Sequence, residues 1–203
     1  MHFASRYSGS YRAAQQAAAL FGGRVQAIDS DNGTYGLALQ ALRAAQLADQ
    51  GATLSEIVND NAGSGNAQLT HFMVDTLDYL KMSGRVSGIS AFIGNLFGIK
   101  PMLRFSGGEL LPAGRARGTA RGLQELTQSL SAYAQGQSGR LRLAYIYAPG
   151  GEENVAALQA QLSSWGYEDA GTHLVGPTIT SVVGPGSVGV VAEAVRPLPL
   201  LRR

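Results

Sequence analysis

Residues 75–87 read Asp-Thr-Leu-Asp-Tyr-Leu-Lys-Met-Ser-Gly-Arg-Val-Ser, and this run is the most informative in the chain. Its pattern predicts a short amphipathic helix that ends at Gly84 and presents Arg85 from the loop that follows. The planar guanidinium of an arginine offers paired donors that suit a carboxylate or a phosphate. A surface arginine near a helix end is an equally good interpretation of Arg85 taken alone.

Helical and extended patterns alternate along the rest of the chain. A capping box at Thr53 to Glu56 predicts the start of one helix, and Gly107-Gly108 predicts the turn of a β-hairpin. The predicted helices cover residues 10–21, 35–50, 88–97, 119–134 and 152–165, and a further helix begins at residue 53. The predicted strands cover residues 24–29, 69–74, 101–105, 109–116 and 141–147. The tail 173–195 is expected to be extended and interrupted by glycines.

This alternation predicts an α/β protein of two domains. We expect a mainly parallel sheet flanked by helices in an N-terminal domain, and a smaller α/β domain with antiparallel strands. Residues 1–63 would form the first domain and residues 64–172 the second. Because a sheet of only two short strands buries too little surface, we expect the tail 173–195 to complete the first domain.

Composition excludes several classes of function. With 203 residues, 45% of them hydrophobic and 15% charged, the chain has the composition of a globular protein. A net charge of +2 gives no indication of nucleic-acid binding. The absence of cysteine excludes disulfides and thiol catalysis and suits a cytoplasmic location. The histidines, His2, His71 and His173, lack the paired spacing of a metal site, and no apolar run reaches membrane-spanning length.

Two glycine-containing turns are candidate anion sites. Ser8-Gly9-Ser10 precedes a predicted helix, where free N–H groups and the helix dipole favour an anion. An ordinary serine N-cap is the more frequent explanation of this pattern. The segment Gly184-Pro185-Gly186-Ser187-Val188-Gly189 is spaced like a phosphate loop, but no lysine follows it, which favours a plain tight turn.

Arginines and apolar residues supply two further candidates. Arg104, Arg115, Arg117 and Arg121 are either a solvated face or a docking surface for an acidic partner. The apolar run between Ile89 and Ile99 is either core or the lining of a lipid pocket.

Several short motifs occur in an order that resembles the DegV family of bacterial fatty-acid-binding proteins. The motifs are Ser8-Gly9-Ser10-Tyr11, Ile28-Asp29-Ser30 followed by Tyr35-Gly36-Leu37, Asp75-Thr76-Leu77-Asp78-Tyr79-Leu80, Gly84-Arg85-Val86-Ser87, Ile99-Lys100-Pro101, and Gly184-Pro185-Gly186 with Gly189. Each motif is weak by itself, whereas the ordered set extends along nearly the whole chain and is specific.

The resemblance implies a carrier, not a catalyst. Members of this family bury one long-chain fatty acid, such as palmitate or oleate, and present it to a fatty acid kinase that phosphorylates the carboxylate for phospholipid synthesis. By position, Ser8 and Gly9 correspond to the turn that binds the carboxylate, Arg85 to the arginine near the head group, and Arg117 to an arginine that docks the kinase. The resemblance implies a cytoplasmic location, no cofactor and no metal, and no integral association with membranes.

The chain departs from the family pattern at two places. Family members carry a segment with a Thr-Ser-Gln-Pro loop before the Ser8 motif, whereas here Met1 falls just before that motif. In addition, Val182 stands where the family often has histidine. We therefore expect either a truncated gene model, with coding sequence upstream of Met1, or a shortened relative with an open, weakened or absent lipid site. An interaction subunit with a non-functional lipid site and a nucleotide-binding or phosphoryl-transfer enzyme remain the alternatives.

Overall fold

The structure, a computed structural model, describes residues 1–85 and 98–198. The predicted helix over 88–97 lies outside the described residues. The chain divides into two compact units. The first comprises Met1–Gln68, the hairpin turn Ser106–Glu109 and the residues from Arg196 onward, and the second comprises Leu69–Phe105 and Leu110–Val195.

The first unit is helical. Its elements are α1 (Ser10–Ala18), a 3-10 turn (Ala19–Phe21), α2 (Thr34–Asp49), α3 (Leu54–Asn61) and α4 (Ser64–Ala67). The predicted capping box is confirmed at the start of α3, where the Thr53 hydroxyl accepts from the Glu56 N–H and the Glu56 carboxylate accepts from the Thr53 N–H. Gly22 has a φ of 54° and ends the first helical segment, as its position predicts.

The strand predicted over residues 24–29 is wrong. Only an isolated parallel bridge joins Asp29 to His2, with the His2 N–H donating to the Ile28 carbonyl at 2.8 Å. Residues 24–26 are exposed, and Val25 retains 46% of its accessible surface. An alternating pattern forms a strand only where a neighbouring strand pairs with it and a face is buried, and residues 1–85 and 98–198 meet neither condition for this segment.

The second unit contains a single six-stranded sheet in the described part of the chain. Its strands are β1 (Leu69–Met73), β2 (Ile99–Ser106), β3 (Glu109–Arg117), β4 (Leu141–Tyr147), β5 (Glu168–Leu174) and β6 (Val188–Ala194), in the spatial order β3-β2-β1-β6-β4-β5. The helices of this unit are α5 (Asp78–Met82), α6 (Thr119–Gln135), α7 (Glu152–Leu162) and α8 (Pro177–Val183). The predicted hairpin, its glycine turn and the strand over 141–147 are confirmed.

The sheet is mixed and contains the antiparallel strands predicted for the second domain, whereas the mainly parallel sheet predicted for the N-terminal domain is not confirmed. β4 and β5 run parallel, whereas β6 runs antiparallel to both β1 and β4, and β1 runs antiparallel to β2. The tail 173–195 was predicted to join residues 1–63 and not the second domain, residues 64–172. In the structure β6 lies at the centre of that domain's sheet and not with residues 1–63. Val188 to Ala192 are buried without a break, as expected of a central strand with both faces covered.

The tail also contains a helix where an extended segment was predicted. α8 begins with Pro177 in its first turn, directly after the extended residue Gly176. Proline fits this position because the first N–H of a helix has no intrahelical partner. The β-branched residues from Thr178 to Val183 favour a strand by propensity, but this start signal and the packing around the helix prevail.

The main core lies between one face of the sheet and helices α6 and α7. Its buried members include Met73, Met102, Leu143, Tyr145 and Val190 from the strands, and Leu123, Leu126, Leu130, Val155, Leu158 and Leu162 from the two helices. The opposite face of the strands is buried as well, by residues that do not belong to this core.

Candidate functional site

The run 75–85 ends in a rigid turn that presents Arg85. α5 closes with a Schellman motif, in which the Gly84 N–H donates to the Lys81 carbonyl at 3.0 Å and the Arg85 N–H donates to the Leu80 carbonyl at 3.1 Å. Gly84 has a φ of 71°, the left-handed conformation that this motif requires. The prediction of a helix that stops at Gly84 is confirmed. The Arg85 side chain is exposed, and its guanidinium donates to the Ser83 carbonyl.

Asp75, at the start of this run, joins two distant parts of the second unit. Its carboxylate pairs with the Lys100 ammonium at 2.6 Å. A Cβ atom on Gly186 would lie 2.7 Å from the Asp75 carboxylate, so the backbone of the Gly184-Pro185-Gly186 turn approaches closely. Three of the family-like motifs therefore meet around one aspartate.

The Gly184-Pro185-Gly186 turn packs against α5 as well. A Cβ atom on Gly184 would lie 2.5 Å from the Tyr79 ring, and both glycines have positive φ. The turn follows helix α8 and precedes strand β6. A phosphate-binding loop has the reverse order, strand then loop then helix, so this turn does not have the context of a nucleotide site. Val182 is half-buried in α8.

Ser8 and Gly9 lie in the first unit, at the start of α1. The Ser8 hydroxyl donates to the Ser10 hydroxyl at 3.0 Å and accepts from the Ser10 N–H at 3.3 Å. Gly9 occupies the N-cap position, is exposed, and has open space where a Cβ would stand. The serine therefore satisfies one N–H of the first helical turn, and its half-buried hydroxyl retains a free lone pair.

The motifs around Asp29 and Tyr35 build the first unit. The Asp29 carboxylate accepts from the Ser5 and Asp31 N–H groups at 3.1 Å each. A Cβ atom on Gly36 would lie 2.5 Å from the Asn32 side chain. Burial, and then the neighbouring charge of Asp29, raises the pKa of Asp31. Capping and close packing account for these residues, as predicted for the aspartate.

A buried polar network supports the same loop. The Gln68 side-chain oxygen accepts from the Asn32 and Gln40 amides at 3.1 and 3.0 Å, and the Gln40 oxygen accepts from the Asn61 amide at 3.2 Å. All four side chains are buried. Their mutual satisfaction fixes the loop that precedes α2.

The sheet of the second unit is apolar on its second face also. Phe72, Leu103, Ile146 and Val191 are buried, do not belong to the α6–α7 core, and alternate with residues that do. Next to Phe72, Gly189 contributes no side chain; a Cβ atom there would lie 2.4 Å from the Phe72 Cβ. Leu77 and Leu80, from the run that presents Arg85, are buried outside that core too.

The structure divides the predicted arginine group. Arg104 on β2 and Arg121 on α6 line one pocket of about 550 Å³, whereas Arg115 and Arg117 on β3 are exposed and do not line it. The same pocket is lined by His71 on β1, which retains 3% of its accessible surface. The sequence analysis considered His71 only as a possible metal ligand and did not predict this pocket. A histidine within an otherwise apolar strand was the feature that could have indicated it.

Residues 1–85 and 98–198 contain neither a metal-binding group nor a membrane-spanning helix. No group of histidine and carboxylate side chains there is arranged to hold a metal ion. Within those same ranges, every helix is too short or too polar to span a bilayer.

The sequence matches the DegV family, described as uncharacterised proteins, over residues 1–195. A DegV domain-containing protein of Deinococcus radiodurans is 40% identical over 193 residues, which are 95% of this chain and 68% of the relative. A protein of Thermotoga maritima named a fatty acid-binding protein is 29% identical over 191 residues, 93% of this chain and 66% of the relative.

Comparison with solved structures also relates this chain to a DegV family protein. A DegV family protein from Thermus thermophilus, described for its fatty acid binding, superposes with a TM-score of 0.88 at 32% identity. The match covers 96% of this chain and 70% of that protein. The α/β architecture described above is therefore the architecture of that protein over the shared length.

Proposed function

We propose that this protein, which belongs to the DegV family, binds one long-chain fatty acid and presents its carboxylate to a fatty acid kinase for acyl-phosphate formation and phospholipid synthesis. In this proposal the protein is a cytoplasmic carrier and the kinase supplies the catalysis. The observation that carries it is the second apolar face of the sheet, marked by Phe72, Leu103 and Val191, in a fold shared with a fatty-acid-binding protein at 32% identity.

An apolar face of this kind suits an acyl chain on energetic grounds. Each buried methylene contributes about 0.8 kcal/mol, so a chain of palmitate or oleate length supplies ample gross affinity. Gly189 has no side chain, so the paired strand can bring Phe72 close to its backbone on this face. Leu77 and Leu80 add apolar surface from the run that ends in Arg85.

The carboxylate head group needs polar partners, because burying an unpaired charge costs several kcal/mol or more. We assign this task to Ser8, Gly9 and Arg85. The Ser8 hydroxyl at the start of α1 and the Arg85 guanidinium on its glycine turn are each exposed or half-buried. Arg85 exchanges its local bond to the Ser83 carbonyl for the ligand.

Docking of the kinase is assigned to Arg117. It ends β3 and its side chain is exposed. An exposed arginine contributes to partner choice and to the rate of encounter more than to the stability of its own fold.

Lipid extraction tests the carrier function directly. The purified protein is extracted with solvent and analysed by mass spectrometry, and the delipidated protein is then titrated with palmitate and with oleate. We expect a fatty acid in the extract and saturable uptake of at least one of the two. If neither an endogenous nor an added fatty acid binds, carrier function is refuted for this chain.

Substitutions then test the assigned residues. Ser8→Ala and Arg85→Met are each expected to weaken retention by about tenfold, the loss expected of one charge-assisted hydrogen bond. The matched controls are Ser138→Ala and Arg140→Ala, both exposed positions without an assigned role. Arg117→Ala is expected to retain lipid and to lose binding to the kinase. Equal retention in all variants would place the head group elsewhere.

A further inference from the structure

The pocket of about 550 Å³ in the second unit is built from three strands and one helix. His71 comes from β1, Arg104 from β2, Pro112 from β3, and Arg121 and Glu125 from α6. In the pairing of β1 with β2, His71 lies directly opposite Arg104. Arg121 and Glu125 are four residues apart on α6 and therefore share a face of the helix. None of the lining residues is among those assigned to the fatty acid.

His71 is the unusual member of this set. It is 97% buried by accessible surface, and neither ring nitrogen has a hydrogen-bond partner among the described residues. Burial, and then the charge of Arg104, lower the pKa of His71 to about 4, so the ring is neutral at pH 7. A neutral imidazole carries one N–H donor and one acceptor, and buried groups of this type are nearly always satisfied.

The charges of the pocket are unbalanced. Arg121 pairs with Glu125 at 3.2 Å, so these two side chains offset one another. The Arg104 guanidinium forms no ion pair or hydrogen bond with another described residue. With His71 neutral, the pocket carries one excess positive charge. A metal cation is disfavoured here, because the only carboxylate among the lining residues is already paired.

We propose that this pocket binds a small molecule bearing an oxyanion, a phosphate or a carboxylate, with Arg104 as its charge partner and His71 as a hydrogen-bond donor. An arginine fork suits both anions. Gln128, also on the lining of α6, supplies amide groups for the rest of the ligand. The volume lies within the range of small-molecule sites and exceeds the needs of inorganic phosphate alone.

The test compares three probes that share one ring: phenyl phosphate, benzoate and neutral benzamide. The side-chain nitrogen signals of the three histidines are followed by NMR, and His71→Asn assigns the His71 signal. We expect saturable shifts of the His71 signal with phenyl phosphate or benzoate at millimolar concentrations, and none with benzamide. The stronger of the two probes identifies the ligand as a phosphate or a carboxylate.

Two variants complete the experiment. Arg104→Met is expected to weaken binding of the oxyanion about tenfold or more, since it removes the charge but keeps the stem. Arg140→Ala removes a different exposed arginine of the same unit and is expected to bind like the parent protein. The proposal fails if both oxyanions leave the His71 signal unchanged, if benzamide shifts it as strongly, or if Arg104→Met binds as tightly as the parent.

Discussion

Acidification from pH 7 to pH 5 should destabilise the second unit through His71. The imidazole is buried on the sheet beside Arg104, and its folded pKa of about 4 is well below the value of 6.5 expected in the unfolded chain. Because the unfolded state then binds the proton more readily, the free energy of unfolding falls as the pH drops below 6.5. The decline ends near pH 4, where the folded ring also becomes charged.

The two pKa values set the size of the effect. The full difference of about 2.5 pKa units corresponds to about 3 kcal/mol, at 1.36 kcal/mol per unit. Between pH 7 and pH 5, the linkage relation gives a loss of about 2 kcal/mol. That loss is a large part of the stability of an ordinary domain.

Urea unfolding measures the loss. Trp165 is the only tryptophan, and it packs against the core of the same unit, so its fluorescence reports the unfolding of the unit that contains His71. The control is His71→Asn, which keeps a polar side chain but does not titrate. We expect the parent protein to lose about 2 kcal/mol more than the variant between pH 7 and pH 5. If both lose the same amount, the assignment of a buried neutral histidine is refuted.

Two further substitutions test the packing described above. Gly189→Ala places a Cβ 2.4 Å from an atom of the paired strand and should cost about 2 kcal/mol or more in urea unfolding, whereas Gly166→Ala enters open space and should stay within about 0.5 kcal/mol. Equal effects would contradict the close approach. Arg43 donates to both Asp60 carboxylate oxygens, at 2.6 and 2.8 Å; Arg43→Met should cost about 2 kcal/mol, and the pair Arg43→Met with Asp60→Asn should cost less than the sum of the single changes. Additive losses would show that the two side chains do not depend on each other.

Local signals in the sequence predicted the regular elements well. The capping box of α3, the two-glycine hairpin turn and the glycine stop after α5 each depend on backbone conformations that a few neighbouring residues decide. Gly107 and Gly108 both have positive φ, as a two-residue turn that matches the strand twist requires. Signals of this kind can be interpreted without knowledge of the rest of the chain.

Pairing between distant strands was not predictable in the same way. β6 inserts between β1 and β4, and nothing local to Val188–Ala194 specifies either neighbour or the antiparallel direction. The segment 24–29 has a comparable alternating pattern but pairs with no strand in the described part of the chain, and it remains outside the sheet. The His71 pocket was not predictable for the same reason, because the proximity of Arg104 to His71 depends on the register of β1 with β2.

Asp75 shows why an ordered set of weak motifs was informative. Its carboxylate contacts Lys100, 25 residues away, and lies against the backbone of Gly186. A larger residue at position 186 would displace the carboxylate, and the loss of the carboxylate would leave the half-buried Lys100 ammonium unpaired. Each motif therefore constrains the others through contact, which no motif reveals by itself. The same contacts place the turn that ends in Arg85 against a fixed part of the sheet, so the position of that guanidinium depends on residues that need not touch any ligand.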